Sequence, residues 1–517
     1  MSTPASPLAQ LAAQGVKPRA LVADSRRVRA GDLFLAYPGE QADGRNFIAQ
    51  AVQHGAAAVL WDSADFAWQP QWRAFNLPVA GLREQAGLLA DEFYGHPSRQ
   101  LWMIGVTGTN GKTSCSHWLA QALTSLGRKT AVVGTLGNGF LAPSPASGRG
   151  QGERENASSD DTTLSPNSLP LVGEKDATAL RALSSAINTT PDPILLHGML
   201  ADYLAQGAAG VAMEVSSHGL DQGRVNGVHF DVAVFTNLTR DHLDYHGDMA
   251  AYAAAKQQLF NWPGLSCAVL NVDDEFGAGL ARELAHKGIK VLTYGLHAGA
   301  VRGRDLVLDE NGLGLALETP HGSASLQAPL FGRFNAYNLL AVLAALLASG
   351  VELDNAVRVL SELRPVAGRM QQLGGGQQPV VVVDYAHTPD ALEKVLVSLR
   401  EQTHGRLICV FGCGGNRDKG KRPLMGEAAS RLADVVVVTS DNPRHEDTRE
   451  IINDIVAGMG GNYHIEPDRA AAIEQAIQGA GAGDVVLIAG KGHEDTQQIG
   501  DIKLPFSDVE VAQRALA

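Results

Sequence analysis

The chain has 517 residues, 45% hydrophobic and 19% charged, with a formal net charge of −13. At roughly 150 residues per domain this is about three domains, with enough chain to bury several cores without a disulfide or metal staple. The composition excludes a collagen, a coiled coil and a wholly disordered chain, and an acidic balance without a basic block makes a poor candidate for nucleic-acid binding by phosphate neutralisation.

The N-terminal stretch MSTPASPLAQLAAQG has neither a basic n-region nor an apolar h-region, so no secretory signal is expected. No apolar run reaches the ~18 residues of a membrane span, and a cytoplasmic protein, monomeric and without a membrane span, is expected. Four scattered cysteines, Cys115, Cys267, Cys409 and Cys413, lack zinc spacing and read as reduced thiols, three of them in cores.

Short apolar runs alternate with helix-length segments, the pattern of βαβ units and parallel sheets. LFLA from Leu33 and AAAVLWD from Ala56 mark a small α/β unit over residues 1–99. LWMIGVTG from Leu101 opens a second block, residues 100–365, which continues through TAVVGT, GVAMEVSS, DVAVFTN and CAVLNVDD. A third, residues 366–517, carries PVVVVDYAH, RLICVFG, DVVVVTSD and DVVLIAG, runs suited to strands covered on both faces. One segment breaks the pattern. From Pro143 to Asp176, 14 of 34 residues are Pro, Ser or Gly, too few apolar groups to offset ordering entropy. Residues 143–186 are expected to be a disordered surface insertion, or else a lid that orders on binding.

The sharpest motif is GVTGTNGKTS, Gly105 to Ser114, between an apolar strand and the helix-like SHWLAQALTSLG. Small residues let backbone N–H groups curl round a phosphate, and the helix N-terminus adds its dipole. Lys112 would reach the β/γ-phosphates, and Thr113 or Ser114 would hold Mg²⁺. Val106 stands where a strict phosphate loop has its first glycine. Further along, Glu214 closes the run GVAME, where a carboxylate could meet Mg²⁺. DHLDYHGD places Asp241, His242, Asp244, His246 and Asp248 within eight residues, and Lys256 follows. On spacing alone this cluster is either a metal site or a polar helix-capping loop.

At these residues the chain resembles the Mur ligases, ATP-dependent amide-forming enzymes of peptidoglycan precursor synthesis, a pathway of cell-wall biogenesis, cell shape and cell division. The resemblance rests on separated motifs in order: DSR at Asp24, GTNGKTS, NTT at Asn188, MEVSSHGL, TNLTRDHLDYHGD, FGRFNAYN, GRM at Gly368, VDYAHTPDAL, FGCGGNRDKGKRP, SDNPRHED and AGKGHED. It implies a UDP-binding N-terminal α/β domain, a central P-loop-type ATPase domain with a mostly parallel sheet, and a Rossmann-like C-terminal domain that binds an amino acid. Within the family, the motifs are most like those of members that add 2,6-diaminopimelate.

In this family a side-chain carboxylate of the UDP-linked precursor attacks the ATP γ-phosphate. The acyl phosphate formed is then displaced by the incoming amine through a tetrahedral intermediate, so positive charge at the transferring phosphoryl is the main requirement. By resemblance, Gly108, Thr109, Asn110, Gly111, Lys112, Thr113 and Ser114 cradle ATP, the co-substrate, and two Mg²⁺ ions take Thr113 or Ser114, Glu214 and His242. Lys112, Glu214, His242 and Lys256 are the implied catalytic set. Read alone, Lys256 is an ordinary helix lysine. The matching lysine of the family is carboxylated, which turns a cation into an anion suited to a hard metal. Asn335, Asn338, Arg369, Asp384 and His387 match adenine, ribose and phosphate contacts, with Asn338, Arg369 and Asp384 the firmest.

The partner implied for the first two domains is UDP-N-acetylmuramoyl-L-alanyl-D-glutamate. Ser25 and the Glu40-Gln41-Ala42 turn match uridine contacts; Asn188, Thr189, Thr190, Ser216, Gln222 and Arg224 match pyrophosphate and sugar-peptide contacts. For the incoming meso-diaminopimelate, DNPR is the telling motif. Asp441, Asn442, Pro443 and Arg444 follow an apolar run, where open parallel sheets bind ligands. Pro443 stiffens the turn, and Arg444 offers a planar fork for a distal carboxylate that lysine lacks. Arg417, Gly490 and Glu494 complete the implied pocket, with Glu494 toward the distal ammonium. The alternatives are a lysine-adding ligase of the same family, a folylpolyglutamate synthase, an ATP-driven switch or motor, and a non-catalytic nucleotide-binding scaffold.

Overall fold

The computed structural model describes residues 5–39, 42–141, 188–309, 312–461 and 463–517. The expected insertion at 143–186, and Glu40 and Gln41 of the expected uridine turn, lie outside the described residues.

Three sheets carry the fold. The N-terminal one is parallel throughout, in the order Leu21–Val22, Leu33–Ala36, Ala58–Asp62, Phe75–Val79. Among the described residues the central sheet has ten strands. Its parallel part runs Val301–Asp309, Lys290–Gly295, Cys267–Asn271, Val232–Phe235, Trp102–Thr107, Gly210–Glu214, Thr130–Gly134. Antiparallel strands extend it on both sides: Gly312–Thr319 and Gly322–Ala328 at one edge, Gly137–Phe140 at the other. The third sheet runs Gln371–Gly374, Val380–Asp384, Val485–Ala489, Leu407–Phe411, Val435–Val438, Tyr463–Ile465 and is parallel except at its first pair. A separate hairpin, Thr496–Ile499 with Ile502–Pro505, lies beside it. All four cysteines are buried as free thiols.

Every apolar run singled out in the sequence forms a strand, because each is covered on both faces. On one face of the central sheet, the helices Lys112–Ser125 and Arg333–Ala348 pack with Ile104, Val106, Val234 and Val269. The second helix is buried almost all round, from Asn335 to Leu347, so its sequence shows no amphipathic stripe. The other face packs Met103, Met213, Phe230 and Phe235 with Leu196 and Leu200 of the helix Pro193–Ala205. The C-terminal helix Asp508–Leu516 is tied in by a fully buried pair, Arg469 Nε and Nη2 to the two Asp508 oxygens, each at 2.7 Å. Among the described residues no helix is long and apolar enough to cross a membrane.

The helix Pro193–Ala205 starts with Pro193 at its first position, and Asp192 Oδ1 accepts from the N–H groups of Ile194 and Leu195 at 3.1 Å each. Because Asp192 satisfies two otherwise orphaned donors, Asp192→Ala is expected to lower stability by about 1 kcal/mol, with Asp192→Ser recovering most of it. Thermal melting of the three proteins checks this.

This topology places many of the candidate residues of the central and C-terminal domains at the carboxyl end of a parallel strand or in the loop that follows, the position where open α/β sheets bind ligands, while Lys256, Asn335 and Asn338 come from helices. The phosphate loop follows Trp102–Thr107, Glu214 ends its neighbour, and the loop from Asn237 to His242 follows Val232–Phe235. In the third sheet Asp384, Gly412–Arg417, Asp441–Arg444 and Gly490–Glu494 occupy the same end.

Candidate active site

The phosphate loop is shaped by two glycines. Gly108 has φ +147° and Gly111 φ +87°. A Cβ on Gly108 would run into the Thr236 hydroxyl, and one on Gly111 into the Asn338 amide. The loop therefore needs glycine for both its conformation and its packing. Asn237 braces it from the adjacent strand end, its Oδ1 accepting from Asn110 N–H at 3.0 Å.

Lys112 turns back over the loop, its Nζ donating to Gly108 O at 2.9 Å and Thr109 O at 2.8 Å. Lys256, 1% exposed, donates to the same Gly108 carbonyl at 2.9 Å and lies 4.4 Å from the Tyr252 ring centre. Burial and then the neighbouring Lys112 hold the Lys256 pKa well below the usual ammonium range, against Asp241. Burial also lowers that of Lys112, opposed by Glu214 and Asp241. A third cation comes from the C-terminal domain. Arg369 Nη2 lies 3.4 Å from Thr113 Oγ1, its guanidinium carbon sits 4.6 Å from the Tyr385 ring centre, and its buried Nε has no hydrogen-bond partner among the described residues. Two lysine side chains and a guanidinium thus converge on one loop.

Glu214, 1% exposed, is the carboxylate of the site. Its Oε2 accepts from Thr113 Oγ1 at 3.0 Å and Thr135 Oγ1 at 3.1 Å, and its Oε1 from Thr135 N–H at 2.8 Å. A hydroxyl and a carboxylate held together are hard oxygen donors, and they fit Mg²⁺, which takes one or two protein ligands alongside phosphates and water. Ser114 is buried next to Thr113. His242 lies among aromatic rings. It has φ +54°, is half exposed, and its ring lies 4.8 Å from His218 and 6.0 Å from Tyr252. Tyr252 in turn places its hydroxyl 3.2 Å from Thr109 Oγ1. Thus Thr113 and Glu214 meet directly, and His242 reaches Lys256 through Tyr252. Lys256 in its ammonium form donates to a carbonyl and offers no metal-ligating lone pair.

The residues expected at the nucleotide form two groups. Asn335 and Asn338 bond each other at 3.0 Å behind Gly111. Asp384 accepts from the N–H groups of Met370 and Ala386 at 2.8 Å each, so its carboxylate braces the segment that carries Arg369. Burial raises the Asp384 pKa, against Arg369 and those two N–H groups. His387 Nδ1 faces its own loop, at the Tyr385 carbonyl.

Of the residues expected at the UDP precursor, Thr189, Thr190 and Ser216 come together around Glu214. Thr190 Oγ1 contacts Glu214 O at 3.0 Å and Ser216 Oγ at 3.1 Å, and Thr189 Oγ1 meets Thr135 Oγ1 at 3.2 Å. Arg224 donates to Thr190 O at 3.0 Å, and Gln222 to the Tyr245 hydroxyl at 3.1 Å. Asn188 is exposed at the start of this stretch. Ser25 lies in the N-terminal domain, buried and donating to Gln50 at 2.7 Å, and Ala42 is exposed.

In the expected amino-acid pocket, Arg444 has φ +52° and is pinned by its backbone to the hairpin: its N–H meets Gln498 O at 3.1 Å, and its carbonyl accepts from Gly500 N–H at 2.6 Å. Its Nη1 donates to Gly415 O at 2.8 Å. Asn442 donates to Glu494 at 2.8 Å, Asp441 Oδ1 accepts from Asn442 N–H at 2.6 Å, and Gly490 lies close to the other Asp441 oxygen. Pro443 precedes Arg444, and Arg417 extends from the adjacent loop, its Nη1 3.4 Å from Asn416 O. Sequence reasoning missed Thr135, Tyr252, Tyr385 and Lys491. For Lys491 a signal existed, a lysine between two glycines after a buried strand; Thr135 carried none.

Family models cover most of the chain. The Mur ligase family catalytic domain matches residues 19–94, the Mur ligase middle domain 106–346, and the Mur ligase glutamate ligase domain 368–492. The chain belongs to the Mur ligase family. A family member of Chromobacterium violaceum, named UDP-N-acetylmuramoyl-L-alanyl-D-glutamate–2,6-diaminopimelate ligase, is 52% identical over 506 residues, covering 97% of this chain and 95% of its own. One of Pseudomonas aeruginosa with the same name is 50% identical over 503 residues, covering 96% and 95%. A solved structure of a ligase of that name superposes with a TM-score of 0.67 at 36% identity, covering 96% of this chain and 94% of that one. A Mycobacterium tuberculosis folylpolyglutamate synthase shares the fold, with a TM-score of 0.61 at 19% identity over 79% of this chain and 92% of that one.

Proposed function

We propose that this Mur ligase joins meso-2,6-diaminopimelate to the D-glutamate side chain of UDP-N-acetylmuramoyl-L-alanyl-D-glutamate, with ATP converted to ADP and phosphate. The observation that carries the reading is the convergence of Lys112, Lys256 and Arg369, from two domains, on one phosphate loop. Relatives of about half identity with that name supply the substrate class.

The precursor carboxylate attacks the γ-phosphorus, the bond to the β-phosphate oxygen breaks, and ADP leaves. The amine of diaminopimelate then adds to the acyl phosphate carbon and loses a proton as phosphate departs. Lys112 and Arg369 meet the charge that spreads over the transferring phosphoryl. Thr113, Ser114, Glu214, His242 and a carboxylated Lys256 would hold Mg²⁺, which supplies further charge neutralisation there. Burial and the neighbouring Lys112 lower the basicity of the Lys256 amine and so favour its neutral form, the form that attacks CO₂, forming an N–C bond and releasing a proton. Closure of the C-terminal domain over the phosphate loop excludes water that would hydrolyse the acyl phosphate. The N-terminal domain supplies Ser25, Gln41 and Ala42 to the uridine end, while Asn188, Thr189, Thr190, Ser216, Gln222 and Arg224 take the pyrophosphate and sugar-peptide.

An amino-acid panel in a phosphate-release assay tests the substrate. Diaminopimelate is expected to support turnover at far lower concentration than lysine. A preference for lysine would move the chain to the lysine-adding branch of the family.

A further inference from the structure

The amino-acid pocket contains a cation that the reading above does not use. Lys491 is 0% exposed, at the carboxyl end of the strand Val485–Ala489. Its Nζ donates to Glu494 Oε2 at 2.9 Å and to Asn442 Oδ1 at 3.1 Å. The triangle closes through Asn442 Nδ2, which donates to the same Glu494 oxygen at 2.8 Å. Asn442 Oδ1 also accepts from the Gln498 N–H of the hairpin at 2.8 Å.

A fully buried ammonium is costly unless paired and hydrogen-bonded, and a hydrophobic side chain would serve packing as well or better. What the ammonium adds here is direction. An amide has one acceptor end and one donor end. With Lys491 and the Gln498 N–H both at its oxygen, the Asn442 side chain cannot turn over, so its NH₂ must face Glu494. Among the described residues, both donors to Glu494 fall on Oε2. The carboxylate is thereby held by one oxygen, and its Oε1 edge is set in a fixed direction, with the side chain about one-third exposed.

We propose that Lys491 is a positioning residue for amino-acid selection: it locks Asn442 and Glu494 so that the free edge of Glu494 meets the ammonium of the incoming amino acid. The inference rests on the reading of this pocket as the diaminopimelate site. It gives Lys491 no contact with ATP or the UDP precursor, and its effect runs through Glu494.

The test is steady-state phosphate release with diaminopimelate varied, for the wild type, Lys491→Met, Lys491→Gln, Glu494→Gln and the double variant Lys491→Met/Glu494→Gln. Lys491→Met is expected to raise KM for diaminopimelate about tenfold, the scale of a lost charged hydrogen bond. KM for ATP should stay within about twofold, the margin expected of a site Lys491 does not touch. Lys491→Gln keeps a donor without the charge and should give a smaller rise; it decides the matter if the Met variant does not fold. The double variant should match Glu494→Gln alone, because the Lys491 effect needs the Glu494 charge. An unchanged KM for diaminopimelate, an equal rise in KM for ATP, or additive effects in the double variant would overturn the role of Lys491. A wild type indifferent to diaminopimelate would instead overturn the reading of the pocket.

Discussion

Replacing Lys256 with Ala is expected to lower turnover on the order of 10³-fold, the scale of losing a main electrostatic stabiliser of a transition state. The lysine is buried, it shares the Gly108 carbonyl with Lys112, and its pKa is held well below the ordinary value by burial and by that neighbour. Two ammonium groups on one carbonyl repel each other, and a positive Lys256 would also repel Mg²⁺. Carboxylation reverses the sign: the neutral amine becomes an anion, relieves the repulsion and supplies hard oxygen atoms. The alanine variant removes the amine without filling the space, so short carboxylates added to the assay should restore part of the activity. Turnover in decarbonated buffer should fall for the wild type and not for the alanine variant. Full activity in Lys256→Ala would show that the side chain has no part in the chemistry.

The second large effect is expected at Arg444. Its backbone is fixed at φ +52° by the hydrogen bonds to Gln498 and Gly500, and one Nη1 bond to Gly415 orients the guanidinium. The fork then has donors left for a carboxylate. Removing it leaves the distal carboxylate of diaminopimelate partly desolvated and unpaired, at a cost of roughly 2–5 kcal/mol for a buried charge pair. At 1.4 kcal/mol per factor of ten, Arg444→Ala should lose on the order of 30-fold or more in apparent affinity for diaminopimelate. Lysine should gain little, since Arg417 and the rest of the pocket still enclose an empty anion site. Arg444→Lys should recover only part, because a point charge cannot make paired hydrogen bonds. Kinetics of the three proteins with both amino acids checks this; normal use of diaminopimelate by Arg444→Ala would contradict the substrate assignment.

Parallel strands were legible in the sequence because burial on both faces leaves an unbroken apolar run, as in VVVVD and LICVF. Several of the strands missed have mixed burial. Val301–Asp309 and Gly322–Ala328 are buried at only two positions each, and the short hairpin Thr496–Pro505 exposes most of its length. The phosphate loop was legible despite Val106, since strand, small residues and lysine survive in order. Partners set by long-range pairing were not. Thr135 reaches Glu214 only because Thr130–Gly134 pairs with Gly210–Glu214, a neighbourhood that no local pattern encodes. Asp384 was expected at the nucleotide, and its two oxygens turn out to brace backbone N–H groups beside Arg369. Lys491 stood in a quoted motif, yet only its burial and its two partners give it a task.

The central claim is that three substrates are coupled on one phosphate loop by acyl transfer. Phosphate release measured with ATP, UDP-N-acetylmuramoyl-L-alanyl-D-glutamate and diaminopimelate, each left out in turn, tests it most directly. The account predicts steady release only when all three are present, with the UDP-linked tripeptide formed in equal amount. Steady ATP turnover that ignores the amino acid would contradict it and point to an ATP-driven switch; ATP binding with no release under any combination would point to a scaffold.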